Sequence, residues 1–165
     1  MIDDTLRAAA RRVLDACRAR KLTVVTAESC TGGLVAAALT EIPGSSDVVD
    51  RGFVTYSDAA KQAMLDVPAR LLQDFGAVSR ETADAMARGA LARSPADLAV
   101  SVTGIAGPGG GSAQKPVGLV YFAALARDGR GLSREKRFGE IGRGEVRMRS
   151  VAEALDMLEL LATQA

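Results

Sequence analysis

Apolar side chains at Leu6, Ala10, Val13, Leu14 and Cys17 recur at three- and four-residue spacing, which predicts an amphipathic helix over residues 3–20. The run Leu22-Thr23-Val24-Val25-Thr26-Ala27 is short, rich in β-branched residues and bounded by polar positions, so it reads as a strand. Glu28-Ser29-Cys30-Thr31-Gly32-Gly33 then turns the chain into a helix-prone stretch over 34–39, giving a strand–turn–helix unit. Pro43-Gly44-Ser45-Ser46 breaks the pattern, and residues 48–56 are extended in character through Val48, Val49, Phe53, Val54 and Thr55. Two short helices are expected over 58–65 and 68–75, parted near Pro68. Ser79 is placed to cap a helix over 80–93, whose Ala83, Met86, Ala87, Ala90 and Leu91 share a face. A buried-type strand over 98–103 runs into the Gly-dense segment 104–112. Strands over 117–125 and 134–138 follow, and a last helix over 144–162 turns Val151, Leu155, Leu158 and Ala162 inward.

Helices between strands imply an α/β fold with helices on both faces of a mainly parallel sheet. The last two strands have no helix between them, only the turn Arg127-Asp128-Gly129-Arg130-Gly131, so they form a hairpin and the sheet is mixed. No internal repeat or long linker divides the chain, and residues 1–165 are read as a single domain. In such sheets ligands bind beyond the carboxyl ends of strands, and two Gly-containing turns fall there, after Ala27 and after Thr103.

Composition narrows the chemistry. The 165 residues are 48% hydrophobic, enough for a sizeable core, and carry a formal charge of only +1. Aromatics are 4% and no aromatic–basic interleaving occurs, so nucleic acid is a poor partner. There is no histidine, which excludes a Ser-His-Asp triad, histidine metal ligation and an imidazole proton carrier. Acid–base chemistry must then fall to Lys, Tyr, Cys or a carboxylate. Cys17 and Cys30 form no CxxC pair or zinc framework, and a chain this rich in other apolar residues needs no disulfide scaffold, which favours a reducing compartment. No signal peptide or membrane span is evident, so the chain reads as soluble and cytoplasmic. Eight basic side chains face four carboxylates between residues 127 and 149; most should form a solvated face, and one or two arginines could clamp a phosphate.

Three segments carry candidate chemistry. In the turn after Ala27, Ser29 can present its hydroxyl beside free backbone N–H groups at a helix start, suited to an oxyanion or a phosphate. The alternative is that Ser29 or Thr31 caps the helix and the glycines permit close packing. It is not a G-x-S-x-G elbow, since no glycine stands two residues before Ser29. The segment 104–112 matches neither Walker A nor G-x-G-x-x-G, because Lys115 precedes Pro116 and the third glycine position is Ser112. It can line a site with backbone donors or be a surface loop. Lys61 can act as a base if burial lowers its pKa, and can equally be a solvated lysine. Asp58 stands where a Ser-x-x-Lys serine would be, so a serine would have to come from another segment.

Taken in order, Thr26-Ala27-Glu28-Ser29-Cys30-Thr31-Gly32-Gly33, Pro43-Gly44-Ser45-Ser46, Val54-Thr55-Tyr56-Ser57 with Lys61, Gly76-Ala77-Val78-Ser79, Val102-Thr103-Gly104-Ile105-Ala106-Gly107-Pro108 and Lys115-Pro116-Val117-Gly118 resemble the CinA C-terminal domain family. The resemblance spans nearly the whole chain. It implies a three-layer α/β/α domain with a mixed sheet, and, as in the family's stand-alone members, hydrolysis of the carboxamide of nicotinamide mononucleotide (NMN). By position it makes Ser29 the nucleophile and Lys61 its base, with Tyr56 assisting proton transfer or holding Lys61. Oxyanion donors would come from the backbone around Cys30 to Gly33 or at Thr103-Gly104. It further implies substrate binding by Cys30, Thr31, Gly32, Gly33, Ser46, Thr103, Gly104 and Arg143, with Arg143 on the phosphate. No metal or cofactor is implied, and a homodimer is. Of the family's Gly-Asp-Arg before the last helix, the arginine matches and the aspartate does not in Gly139-Glu140-Ile141-Gly142-Arg143. Two other readings are compatible: a Ser/Lys amidase for another small amide, and a non-catalytic nucleotide-binding or interaction module linked to competence.

Overall fold

The computed structural model describes residues 2–164. Helix α1 (Asp4–Arg20) starts where Asp3 accepts the Leu6 N–H at 2.8 Å and ends at Lys21 in the left-handed conformation. Strand β1 (Val24–Glu28) leads through the Ser29 turn into α2 (Leu34–Thr40), and a short 3-10 turn precedes β2 (Val49–Val54). Helices α3 (Asp58–Leu65), α4 (Ala69–Phe75) and α5 (Arg80–Ala92) follow, then β3 (Leu98–Gly104), β4 (Leu119–Ala126), β5 (Gly131–Arg137) and α6 (Arg143–Thr163). Ser57 and Ser79 cap α3 and α5 by accepting the N–H groups of Ala60 and Thr82.

The five strands lie in the order β2-β1-β3-β4-β5. β1 is parallel to both β2 and β3, and β4 is antiparallel to its neighbours β3 and β5, so four strands share one direction and the mixed, mainly parallel expectation holds. The reversal at β4 has a local cause. Segment 105–118 is too rich in Gly and Pro to form the crossover helix that a parallel return needs. The β4–β5 hairpin closes as expected, with the Ala126 N–H on the Arg130 carbonyl at 2.8 Å.

Helices α1, α2 and α6 cover one face of the sheet over a core that includes Leu14, Val24, Val100, Phe122 and Leu158. On the other face α3, α4 and α5 pack over Val25, Leu65, Met86, Ala99 and Ala123. Every residue of β1 is buried, as a central strand covered on both faces requires. β5 begins at Gly131, three residues earlier than its polar sequence indicates. It is held by α6, where Arg134 pairs with Glu153 and Asp156, both at 2.6 Å, and Lys136 with Glu153 at 3.2 Å. The basic stretch is therefore not simply a solvated face. Arg127 donates to the carbonyls of Leu91, Ser94 and Ala96, and Arg130 to that of Leu161.

β1 is the topological switch point: the chain leaves it on one side toward β2 and returns on its other side in β3. The carboxyl ends of β1 and β3 therefore open a crevice between two helical layers. Among the described residues, no helix is long and apolar enough to cross a membrane.

Candidate active site

Backbone pairing continues beyond the strand ends and sets the site. The Ser29 N–H donates to the Val102 carbonyl at 2.9 Å, and the Thr55 N–H to the Glu28 carbonyl at 2.8 Å. Thr55 and Ser29 are thereby held side by side. Lys61 comes from the layer above, on the one face of α3 that is buried; Leu65, one turn later, shares that face. Its Nζ donates to Ser29 Oγ at 3.0 Å and to the Thr55 carbonyl at 2.8 Å. Lys61 is 1% exposed and has no carboxylate within ion-pairing distance among the described residues. Burial consequently holds its pKa below the usual lysine value, with Asp58 and then Cys30 opposing more weakly. A lysine so placed spends more of its time as a neutral amine, the form that accepts a proton.

Most backbone N–H groups of the turn are engaged within the protein. The Glu28 side chain, 1% exposed, accepts the N–H groups of Gly33 at 3.1 Å, Val35 at 3.0 Å and Ala36 at 2.9 Å. Glu28 thus caps α2, and neither Ser29 nor Thr31 does; the N-cap residue is Gly33, at φ +99°. The Gly32 N–H goes to the Ser29 carbonyl at 2.9 Å and that of Leu34 to the Thr31 carbonyl at 3.2 Å. Among the described residues, only the N–H groups of Cys30 and Thr31 in this turn have no protein acceptor. The expected donor set is corrected accordingly: Gly32 and Gly33 are committed elsewhere, and Cys30 and Thr31 can serve an anion at Ser29.

A cleft of about 270 Å³ opens over this pair. It is lined by Ser29, Cys30, Tyr56, Lys61, Thr103, Gly104, the loop residues Gly107 to Gly110 other than Pro108, and Arg143, with Ala77 and Val78 on the far wall. Thr103 is buried and its hydroxyl donates to the Ala77 carbonyl at 2.7 Å, so it ties β3 to that wall. Gly104 is required by packing, since a Cβ there would lie 2.7 Å from Val120 Cγ2 and 2.8 Å from the Leu119 carbonyl oxygen. Arg143, at the start of α6, donates to Tyr56 Oη at 2.8 Å and to the Gly107 carbonyl at 3.0 Å, bridging the cleft mouth. Tyr56 is 60% exposed and makes no hydrogen bond to Lys61 among the described residues; Thr55 and Ser29 hold the lysine instead.

Of the expected site residues, Ser29, Cys30, Tyr56, Lys61, Thr103, Gly104 and Arg143 converge on the cleft. Thr31, Gly32 and Gly33 shape the turn behind it without lining it. Ser46 is not brought in. It is exposed in the 3-10 turn before β2, at the end of the sheet opposite the carboxyl ends of β1 and β3. Cys30 lines the cleft, yet burial pushes its thiol up to about 12, which leaves it protonated and inert. Sequence reasoning passed over Arg147. Its Nε donates to the Cys30 carbonyl at 3.2 Å and an Nη to the Thr31 carbonyl at 3.1 Å. The available signal was its four-residue spacing from Arg143 on one helix.

A sheet with covering helices on both faces, a serine at a switch-point strand end and a buried lysine on its hydroxyl together define an α/β protein with a serine–lysine pair at the floor of a cleft. The model of the CinA C-terminal domain matches residues 6–162, and the chain belongs to that family. It is 48% identical over 158 residues to the nicotinamide-nucleotide amidohydrolase PncC of Escherichia coli K12, covering 96% of this chain and 95% of that protein. A CinA-like protein of Synechococcus sp. RCC307 is 50% identical over 159 residues, covering 96% of this chain and 37% of that one. The chain spans between 26% and 37% of the length of the longer curated relatives it matches. The crystal structure of the competence/damage inducible protein CihA from Agrobacterium tumefaciens superimposes with a TM-score of 0.97 at 57% identity, over 99% of both chains.

Proposed function

We propose that this chain is an amidohydrolase that cleaves the carboxamide of NMN to nicotinic acid mononucleotide and ammonia, in pyridine nucleotide salvage. The observation that carries the chemistry is the 3.0 Å hydrogen bond from Lys61 Nζ, buried without a counter-ion among the described residues, to Ser29 Oγ at the floor of a cleft. The substrate follows from the likeness to nicotinamide-nucleotide amidohydrolases over most of their length.

Ser29 Oγ attacks the amide carbon while neutral Lys61 takes the hydroxyl proton. The carbonyl oxygen becomes an oxyanion held by the N–H groups of Cys30 and Thr31. Lys61, now an ammonium, gives its proton to the amide nitrogen as the C–N bond breaks, and ammonia leaves. A nicotinoyl ester remains on Ser29. Water attacks it with Lys61 again accepting the proton, and the carboxylate product departs as Ser29 recovers its hydrogen. Arg143 and the backbone of the Gly107–Gly110 loop hold ribose and phosphate, with Tyr56 steadying Arg143. Thr103 and Gly104 form the opposite wall. In this reading residues 1–165 act as one domain in the cytoplasm, without a cofactor or metal, and pair as a homodimer.

The test is to incubate purified protein with NMN and measure ammonia and nicotinic acid mononucleotide, beside Ser29→Ala. Wild type forms both products in equal amount, and Ser29→Ala forms neither above background. No product from folded wild type overturns the activity and favours a binding module; full activity in Ser29→Ala overturns the nucleophile.

A further inference from the structure

The two free donors at Ser29 are only as good as their aim. Each belongs to a trans peptide whose carbonyl points the opposite way, so a bond that fixes the carbonyl fixes the N–H. The Cys30 N–H shares its peptide with the Ser29 carbonyl, which is tied down by the Gly32 N–H at 2.9 Å. The Thr31 N–H shares its peptide with the Cys30 carbonyl, and the side chain bonded to that oxygen is Arg147 at 3.2 Å. The next carbonyl, of Thr31, receives the second Arg147 bond at 3.1 Å. Arg147 is half-buried, and among the described residues it pairs with no carboxylate; both of its hydrogen bonds go to this turn. It stands on α6, in the helical layer opposite the one that supplies Lys61.

We infer that Arg147 is a positioning residue that aims the oxyanion donors. It draws the Cys30 and Thr31 carbonyls toward α6, which turns the Thr31 N–H toward the cleft and Lys61. It also polarises the Cys30–Thr31 peptide with a positive charge, strengthening that donor. Arg147 does not line the cleft and so acts through the turn. The inference rests on the amidohydrolase reading and deepens it.

The experiment compares kcat and KM on NMN for wild type, Arg147→Ala and Arg147→Lys, with Arg149→Ala as a control on the exposed side of α6. Arg147→Ala is expected to lose kcat by about 10²–10³-fold, the loss associated with one oxyanion donor, with KM within about threefold. Arg147→Lys, able to reach one carbonyl, falls between, and Arg149→Ala is unchanged. Millimolar guanidinium restores part of the kcat of Arg147→Ala, and the pH at which the rate rises is the same as in wild type. If Arg147→Ala does not fold, the Arg147→Lys split between kcat and KM and its pH profile decide. An unimpaired kcat in a folded Arg147 variant, or a rise in KM at constant kcat, overturns the inference while leaving the activity intact. An inactive wild type overturns the underlying activity and the inference with it.

Discussion

Replacing Lys61 by Met removes a titrating group from the interior while keeping most of the packing of its stem, since both side chains are long and unbranched. Lys61 donates to Ser29 Oγ and the Thr55 carbonyl, so the variant leaves a buried carbonyl short of a donor, at a cost of roughly 1–3 kcal/mol that does not depend on pH. The other effect does depend on pH. Burial lowers the folded-state pKa of Lys61 below its unfolded value of 10.5. Between those two values the unfolded wild type binds more protons than the folded form, so wild-type stability rises with pH, at a limiting slope of about 1.4 kcal/mol per pH unit. Below the folded pKa both forms are protonated and this contribution is flat. Lys61→Met has no such group. Its stability relative to wild type is therefore highest at low pH, starts to decline at the folded pKa of Lys61, and levels off near the unfolded one. Cys30, which also perturbs Lys61, titrates above this window in the folded protein, at about 12. Urea titrations of both proteins across pH give the difference, and kcat/KM of wild type on NMN across the same range gives the rate profile. If neutral Lys61 is the base, the break in the stability difference and the rise in rate fall at the same pH. A rate flat between about pH 6 and about pH 9, or two breaks more than about one unit apart, refutes the reasoning.

Arg143→Ala removes a cation from the cleft mouth, so kcat/KM for NMN should fall by about 10- to 100-fold, the worth of a charge-assisted bond to phosphate. The same substitution should leave turnover of the phosphate-free riboside nearly unchanged, and an equal loss on both compounds would remove Arg143 from phosphate recognition. Cys17 and Cys30 have thiols raised to about 11 and about 12 by burial, so iodoacetamide at about pH 8 should modify neither until the protein is unfolded. Cys30→Ala should keep kcat within about threefold of wild type, and a larger loss would return the thiol to the chemistry.

Much of this protein is local information. The spacing of Leu6, Ala10, Val13, Leu14 and Cys17 sets α1, the apolar run before Ser29 sets β1, and Ser57 and Ser79 start their helices through caps that involve only the next few residues. Those signals survive in sequence because they depend on neighbours within one or two turns. The absence of histidine likewise directs attention to lysine before any coordinates are known. The resemblance then joined Ser29 to Lys61, and it also named Ser46, which the parallel run of β2 puts at the other end of the sheet.

Only the tertiary structure decided which candidate residues meet. Ser29 and Lys61 are 32 positions apart and meet because α3 lies in the opposite layer, with its buried face over the end of β1. Glu28 and Arg147 are ordinary charged residues in the sequence. Glu28 becomes the acceptor for N–H groups of Gly33, Val35 and Ala36 only a few residues on, whereas Arg147 becomes the anchor for the carbonyls behind Ser29 because 117 residues of chain bring α6 back beside the turn. Pattern determines which face of a segment is buried. Which polar group shares that burial, and hence which lysine is stripped of water and laid against a serine hydroxyl, is fixed by pairing between layers that no local spacing encodes.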